Sequence, residues 1–388
     1  MKIAFFTPTF LPKCSGAEIF HHNLALRLRE RGHEPIVLMP RSLKRQLDAS
    51  QLAPPYETAG FPSHQWSLFK RWPAAGFALS RWTLGRFQAR YQFDVWHSVV
   101  LSPAGMCFAD WQSRSGVPGH VRAVGDDVPL EEKSDLPGFA QSALRKAQCV
   151  VSLSEGMTRA LRSLRISEER IVEIPNAVDT RRFEGSFERE AFLKSHGIRG
   201  ALCLCVARHH PQKDLPTLFK AFRGFLKDSS QQATLVVAGR GMPEYPLDAD
   251  LKPHVRLIET AASSPVEFPP AELVNWYRAA DLFVLTSQLE GFSTALLEAM
   301  AAGLPVVGTD VPGIRERVQH GVNGLLRPVG DATGLSSAIA RLLADPEERS
   351  AFGEESKRLA RPFSWDQTVT AYESLYKKLI QTARRQPV

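Results

Sequence analysis

Short β-rich runs alternate with helix-length segments along this chain, and they do so in two successive series. The first opens with a strand at 2–6, passes a loop through Gly16, and continues as a helical stretch over 17–31 that stops at Gly32 before a strand at 35–39. Further β-rich runs at 95–100 and 150–153 are followed by helical stretches. The second series reads strand 201–206, helix 215–227, strand 233–238, strand 282–286, helix 293–302 and strand 305–308. This alternation predicts an α/β fold, because parallel strands need long crossovers and helices supply them while covering both sheet faces. A chain of 388 residues is long for one core, so two domains are expected. The turn-rich joint Ile174-Pro-Asn-Ala-Val-Asp179 places the boundary near 185. From Ser364 onward, Trp365, Val369, Tyr372, Leu375, Tyr376 and Leu379 recur at helical spacing and mark an amphipathic closing helix. We therefore expect one domain over 1–185 plus the helix 364–388, and another over 186–363.

Several classes are excluded early. No apolar run approaches the roughly 20 residues that span a bilayer, and the opening run is too short for a signal peptide. The five cysteines (Cys14, Cys107, Cys149, Cys203 and Cys205) are odd in number and show no C-x-x-C spacing, which predicts reduced thiols in a cytoplasmic protein. Cys203 and Cys205 alternate along one predicted strand and read as core packing. The net charge of +7 is uneven: residues 1–122 hold 15 Lys and Arg against 7 Asp and Glu. That surplus fits either a solvated basic face or an acidic partner, such as a phosphorylated acceptor or an anionic membrane surface. Within it, residues 64–93 interleave Trp66, Phe69, Trp72, Phe77, Trp82 and Phe87 with Lys70, Arg71, Arg81, Arg86 and Arg90. A helix packed on the sheet, a segment resting peripherally on the inner membrane face, and an acceptor pocket all fit this pattern. Nucleic acid is not an expected partner, because no recognisable module accompanies the stacking residues.

The segment with the strongest chemical pattern follows strand 282–286. The chain turns through Glu290-Gly291-Phe292 into a helix beginning near Ser293 and ending at Gly303, with Pro305 shortly after. That loop delivers Glu290 and Gly291 to the carboxyl end of a parallel sheet, where open α/β sheets bind ligands. Backbone N–H groups from Phe292 through Ser293 and Thr294 to Ala295 sit at a helix N-terminus, which favours phosphate. Glu298 lies one turn into the helix. Spacing alone also suits two ordinary surface glutamates.

The run Glu290-Gly-Phe-Ser-Thr-Ala-Leu-Leu-Glu298-Ala-Met-Ala-Ala-Gly303-Leu-Pro305 closely resembles the E-x7-E signature of glycosyltransferase family 4, the retaining GT-B enzymes. The likeness continues through Pro312-Gly313-Ile314-Arg315-Glu316 and Gly321-Val322-Asn323-Gly324. It implies two Rossmann-like, doubly wound domains facing across a cleft, the first binding an acceptor and the second a nucleotide-sugar donor. By the same resemblance Glu290 contacts sugar hydroxyls and Glu298 the ribose. Arg208 and Lys213, in Ala207-Arg208-His209-His210-Pro211-Gln212-Lys213, hold the diphosphate and neutralise the leaving group; taken alone this is a basic loop. Gly16 approaches the donor phosphates, and Gly239, in Val237-Ala238-Gly239-Arg240-Gly241, lines the nucleotide side. The implied activity is metal-independent, retaining transfer of a hexosyl unit from a nucleoside-diphosphate sugar to an acceptor hydroxyl, with no cofactor required. A nucleotide-sugar 2-epimerase and a non-catalytic nucleotide-sugar-binding protein are the alternatives.

The pattern departs from the family in the first domain. Many relatives carry His-Gly-x-Asp where this chain reads Val124-Gly125-Asp126-Asp127, with Val124 in the histidine's place. Asp126 and Asp127 are candidate acceptor contacts. His97, in Asp94-Val95-Trp96-His97, is another, expected at a strand end aimed at the cleft. Asp248-Ala249-Asp250 follows a proline loop, outside a metal-binding context.

Overall fold

The structure, a computed structural model, describes residues 1–13, 16–50, 52–62, 68–69, 71–124, 137–260 and 269–385. The chain divides into two compact units, Met1–Asn176 with Asp366–Val388, and Ala177–Trp365. Val178 and Phe183 already lie in the second unit's core, so the chain enters that unit ahead of residue 186.

In the first unit β1 (Lys2–Phe6), β2 (Glu34–Pro40), β3 (Glu57–Phe61), β4 (Val95–Val99), β5 (Gly119–Arg122), β6 (Val150–Ser152) and β7 (Ile171–Glu173) form one parallel sheet, ordered β3-β2-β1-β4-β5-β6-β7. In the second, β8 (Ala201–Val206), β9 (Ala233–Ala238), β10 (Val255–Ile258), β11 (Leu282–Leu285), β12 (Val306–Thr309) and β13 (Gly324–Arg327) form a parallel sheet ordered β10-β9-β8-β11-β12-β13. Both are Rossmann-like. Strand order reverses at β1/β4 and at β8/β11, and the carboxyl ends beside such a switch point form the crevice in which open sheets bind ligands.

β8 shows why these runs become central strands. Leu202 and Leu204 enter one apolar cluster while Cys203 and Cys205 enter the other, so the period-two alternation feeds both covered faces. Cys107, Cys149, Cys203 and Cys205 are free and buried, whereas Cys14 lies outside the described residues.

β5 reads Gly-His-Val-Arg and was not foreseen as a strand, yet all four residues are buried. A Cβ on Gly119 would lie 2.6 Å from the Trp96 carbonyl oxygen, so only glycine lets β5 run this close to β4. The Arg122 guanidinium is buried over the Phe20 ring at 4.0 Å, donating from Nε to the Tyr372 hydroxyl at 2.8 Å and from Nη2 to Asn176 Oδ1 at 2.6 Å. Tyr372 and Tyr376 belong to the closing helix, Trp365–Arg385, whose predicted apolar face packs on this sheet. Arg31 and His33 fasten that helix through Glu373 at 2.9 and 2.8 Å.

Three buried histidines, His21, His97 and His120, share this core. Burial is the main cause that lowers their pKa values, and the charge of Arg122 lowers them further; His120 falls to about 3 and the other two lie well below the usual range. All three are neutral when folded and take up protons only on unfolding. Their contribution is therefore complete above about pH 6.5 and lost below it, at about 1.4 kcal/mol per histidine per pH unit. Amide hydrogen exchange in β4 and β5 should show protection falling by about 4 kcal/mol between pH 7.5 and 5.5. Protection independent of pH over that range would contradict a neutral histidine core.

Candidate active site

The loops leaving β8 and β11 lie side by side at the second unit's switch point. After β8 the chain makes a single 3-10 turn, Pro211–Lys213, and Asp214 caps the helix Leu215–Asp228, accepting from Thr217 N at 3.4 Å and Thr217 Oγ1 at 2.8 Å. After β11 it runs through Thr286 to Phe292 into the helix Thr294–Ala301, which Ser293 caps by accepting from Leu296 N at 3.3 Å. Hydrogen bonds stitch the loops together. Gln288 N donates to the Gln212 carbonyl at 2.8 Å, Gln212 Nε2 to the Leu289 carbonyl at 2.8 Å, and Thr286 Oγ1 to the Lys213 carbonyl at 3.0 Å.

That stitching brings Lys213 Nζ to 2.5 Å from Glu290 Oε1, with side chains only 17% and 6% exposed. Ser287 Oγ donates to the same oxygen at 2.7 Å. The Pro312-Gly313 turn backs the loop: Gly313 N donates to the Glu290 carbonyl at 3.0 Å, and a Cβ on Gly313 would sit 2.3 Å from that oxygen. Beside Glu290, Phe292 packs against Arg317, whose guanidinium lies 4.8 Å from the Phe292 ring and 4.8 Å from the Phe363 ring.

Glu298 is buried on the same helix and accepts from the Tyr277 hydroxyl at 2.9 Å. Burial raises its pKa to about 7, opposed by the Tyr277 hydrogen bond and by the charge of Arg182. The two glutamates therefore have different companions, a cation for Glu290 and a buried hydroxyl for Glu298. Gly239 closes the crevice's other side, where its N–H donates to the Ile258 carbonyl at 2.9 Å. A Cβ there would lie 1.8 Å from the Ala207 carbonyl oxygen, so the ends of β8 and β9 approach as only glycine allows.

The structure thus groups Lys213, Glu290 and Gly291 to Thr294, with Glu298 one turn on, and places the exposed Arg208 two residues beyond β8. Gly16 is the exposed first residue of the helix Gly16–Glu30, and a Cβ there would meet nothing within 4 Å. The expectation for His97 is corrected. It lies within β4, wholly buried, stacked on Phe5 at 4.7 Å with Nδ1 2.9 Å from the Tyr376 hydroxyl. The closing helix covers it and keeps it from any surface contact. Asp126 and Asp127 lie outside the described residues, and Val124 is half-buried. Asp248 and Asp250 pair with Arg223 at 2.5 and 2.6 Å on the surface. Among the described residues, no group of three or more His, Cys, Asp or Glu is arranged to hold a metal ion.

Sequence reasoning missed Tyr277, Ser287 and Arg317 as supports of this site. Ser287 carried a weak signal, three residues before Glu290 at a strand end. Tyr277 carried none, since it meets Glu298 across 21 residues from another helix.

Two family models match the chain: the group 1 glycosyl transferases over residues 188–359, and Glycosyltransferase Family 4 over 14–182. N-acetyl-alpha-D-glucosaminyl L-malate synthase of Bacillus anthracis is 25% identical over 383 residues, covering 96% of each chain. D-inositol 3-phosphate glycosyltransferase of Thermobispora bispora is 31% identical over 189 residues, 47% of this chain and 44% of that one. Among solved structures, a glycosyltransferase from Rickettsia africae superposes with a TM-score of 0.78 at 17% identity, covering 98% of this chain and 99% of its own. Anabaena HepE in complex with UDP superposes with a TM-score of 0.75 at 20% identity, covering both chains fully.

The Tyr277 hydrogen bond opposes the desolvation of Glu298, so Tyr277→Phe should raise that carboxyl's titration midpoint above about 7. Carbon-13 NMR of glutamate-labelled protein, with Glu298→Gln to assign the resonance, reads this directly. An unmoved midpoint would remove Tyr277 from the site.

Proposed function

The chain belongs to glycosyltransferase family 4, and from that premise we propose that it moves a hexosyl unit, with retention and without a required metal, from a nucleoside-diphosphate sugar to an acceptor hydroxyl. The observation that carries the reading is the part-buried Lys213–Glu290 pair at the β8/β11 switch point, beside a helix N-terminus. Lys213, with Arg208, stabilises the diphosphate as negative charge develops on it, a role that fixed cations fill without a metal ion. Both contacts to Glu290 fall on Oε1, and its other oxygen is offered to a sugar hydroxyl. Glu298 takes a ribose hydroxyl. The backbone at Gly291, Phe292, Ser293 and Thr294 faces the phosphates, and Gly239 lines the nucleotide.

In the step itself the bond from the anomeric carbon to the phosphate oxygen breaks. The acceptor oxygen bonds to that carbon on the same face, and the acceptor's proton passes to the departing phosphate. No protein nucleophile is needed. The first unit holds the acceptor. That relatives act on malate or inositol phosphate, and that a structural neighbour binds UDP, supports a small hydroxylated acceptor and a nucleotide donor.

We also propose peripheral contact between residues 64–93 and an anionic membrane from the cytoplasmic side. Trp72 and Trp82 are 60% and 55% exposed, Arg86 lies 4.8 Å over the Trp82 ring, and no Asp or Glu occurs between Glu57 and Asp94. Residues 63–67 and 70 lie outside the described residues. Among those described, no helix is long and apolar enough to cross a membrane.

Nucleoside-diphosphate release from a panel of UDP-, GDP- and ADP-sugars tests the reaction. Lys213→Ala should lower turnover at least about a hundredfold, as loss of a fixed electrostatic stabiliser does, and a chelator should leave the wild-type rate unchanged. Near-normal turnover by the variant would remove Lys213 from the phosphate site, and chelator sensitivity would overturn the metal-free step. In flotation with anionic vesicles, Trp72→Ala with Trp82→Ala should abolish recovery with the lipid. No flotation by the wild type would sink the membrane contact.

A further inference from the structure

A groove of about 610 Å³ opens in the first unit at the amino ends of its strands, away from the carboxyl ends where open sheets bind reactants. Val117 precedes β5, Cys149 precedes β6 and Arg170 precedes β7, while the closing helix supplies Leu375, Lys378 and Leu379. A volume of this size suits a small-molecule ligand.

The lining sorts into two chemistries. Val117, Val172, Leu375 and Leu379 provide apolar surface, and the last two are only 6% and 5% exposed. Around it stand four cations, Arg114, Lys146, Arg170 and Lys378, against one carboxylate, Glu169. Arg114 has a local explanation, since it lies in the last turn of the helix Met106–Ser115 and 3.8 Å from Asp110. The others do not. Lys146 and Lys378 are exposed and form no ion pair among the described residues, and Arg170 is held in place by donating to the carbonyls of Arg145 at 3.0 Å and Ala147 at 3.5 Å. The Cys149 thiol on the floor is pushed up to about 12 by burial, despite the lowering influence of Lys378, so it is protonated at neutral pH. The groove therefore holds no activated thiolate.

We propose that this groove is a binding site for an anionic amphiphile, with a phosphate head among Lys146, Arg170 and Lys378 and an apolar body along Val117, Leu375 and Leu379. Both halves are needed: cations alone suit any anion, and the apolar floor alone suits any hydrocarbon. The site is separate from the donor crevice and does not depend on the reaction assigned there.

Isothermal titration of the full chain with dihexanoyl phosphatidic acid, kept monomeric, tests this without a membrane present. Binding should saturate at one equivalent with a micromolar Kd, and the doubly substituted Lys146→Glu, Lys378→Glu protein should bind at least about tenfold more weakly, as loss of charge-assisted contacts implies. Dihexanoyl phosphatidylcholine and inorganic phosphate should each bind at least about tenfold more weakly than the phosphatidic acid. Trp72→Ala with Trp82→Ala should leave this affinity unchanged, which separates the groove from the aromatic face of residues 72–82. Equal binding of the choline lipid would overturn the charged half, equal binding of phosphate would overturn the apolar half, and undiminished binding by the charge-reversed protein would overturn the location.

Discussion

One ion pair, the part-buried Lys213 to the buried Glu290, sets the form of the second unit's crevice. The Glu290 carboxylate alone at that depth is strongly unfavourable, because burial removes the water that would stabilise it. Together the two charges compensate each other, with Ser287 supplying a further donor to the same carboxylate oxygen. The hydrogen bonds between the loops hold the two segments that carry this pair against each other. A phosphate arriving beside Lys213 would compete for the cation, so Glu290 must then find hydroxyl or other donors of its own.

Glu298 shows the other way a carboxyl can be buried. It has a phenolic hydroxyl instead of a cation as its immediate partner, so burial outweighs stabilisation and its pKa rises to about 7. Two glutamates on one short segment thus have different immediate partners, a lysine ammonium for Glu290 and a phenolic hydroxyl for Glu298. Phe292 stands between them, with Arg317 against its ring and Phe363 beyond. The backbone that turns into the helix is therefore braced from behind by side chains that lie outside the signature itself.

Much of this was legible because the information was local. β8, β9 and β11 are apolar runs that both sheet faces require, and the E-x7-E spacing survives any detail of packing. What escaped notice depends on residues far apart in the chain. β5 looks like a polar turn until Arg122 meets Asn176 and Tyr372, 54 and 250 residues away. His97 was misplaced for the same reason: its local run suits a strand end, but Tyr376, 279 residues later, covers it. Tyr277 belongs with Glu298 only because two helices pack together. The sequence pattern marks which atoms do chemistry more readily than which atoms hold them in place.

The second unit is an insertion within the first, since the chain returns at Asp366 to complete the fold it left at Asn176. Its two ends meet: Val178 N donates to the Phe363 carbonyl at 2.8 Å, and Val178 bridges Ser364. A segment whose ends adjoin imposes almost no geometric demand on its host, which is why insertions succeed at such junctions. In evolutionary terms the second unit has the form of an exchangeable cassette, bounded by two cuts a hydrogen bond apart. The first unit has no such freedom, because its buried Arg122 and histidines are finished by a helix translated only after the entire cassette.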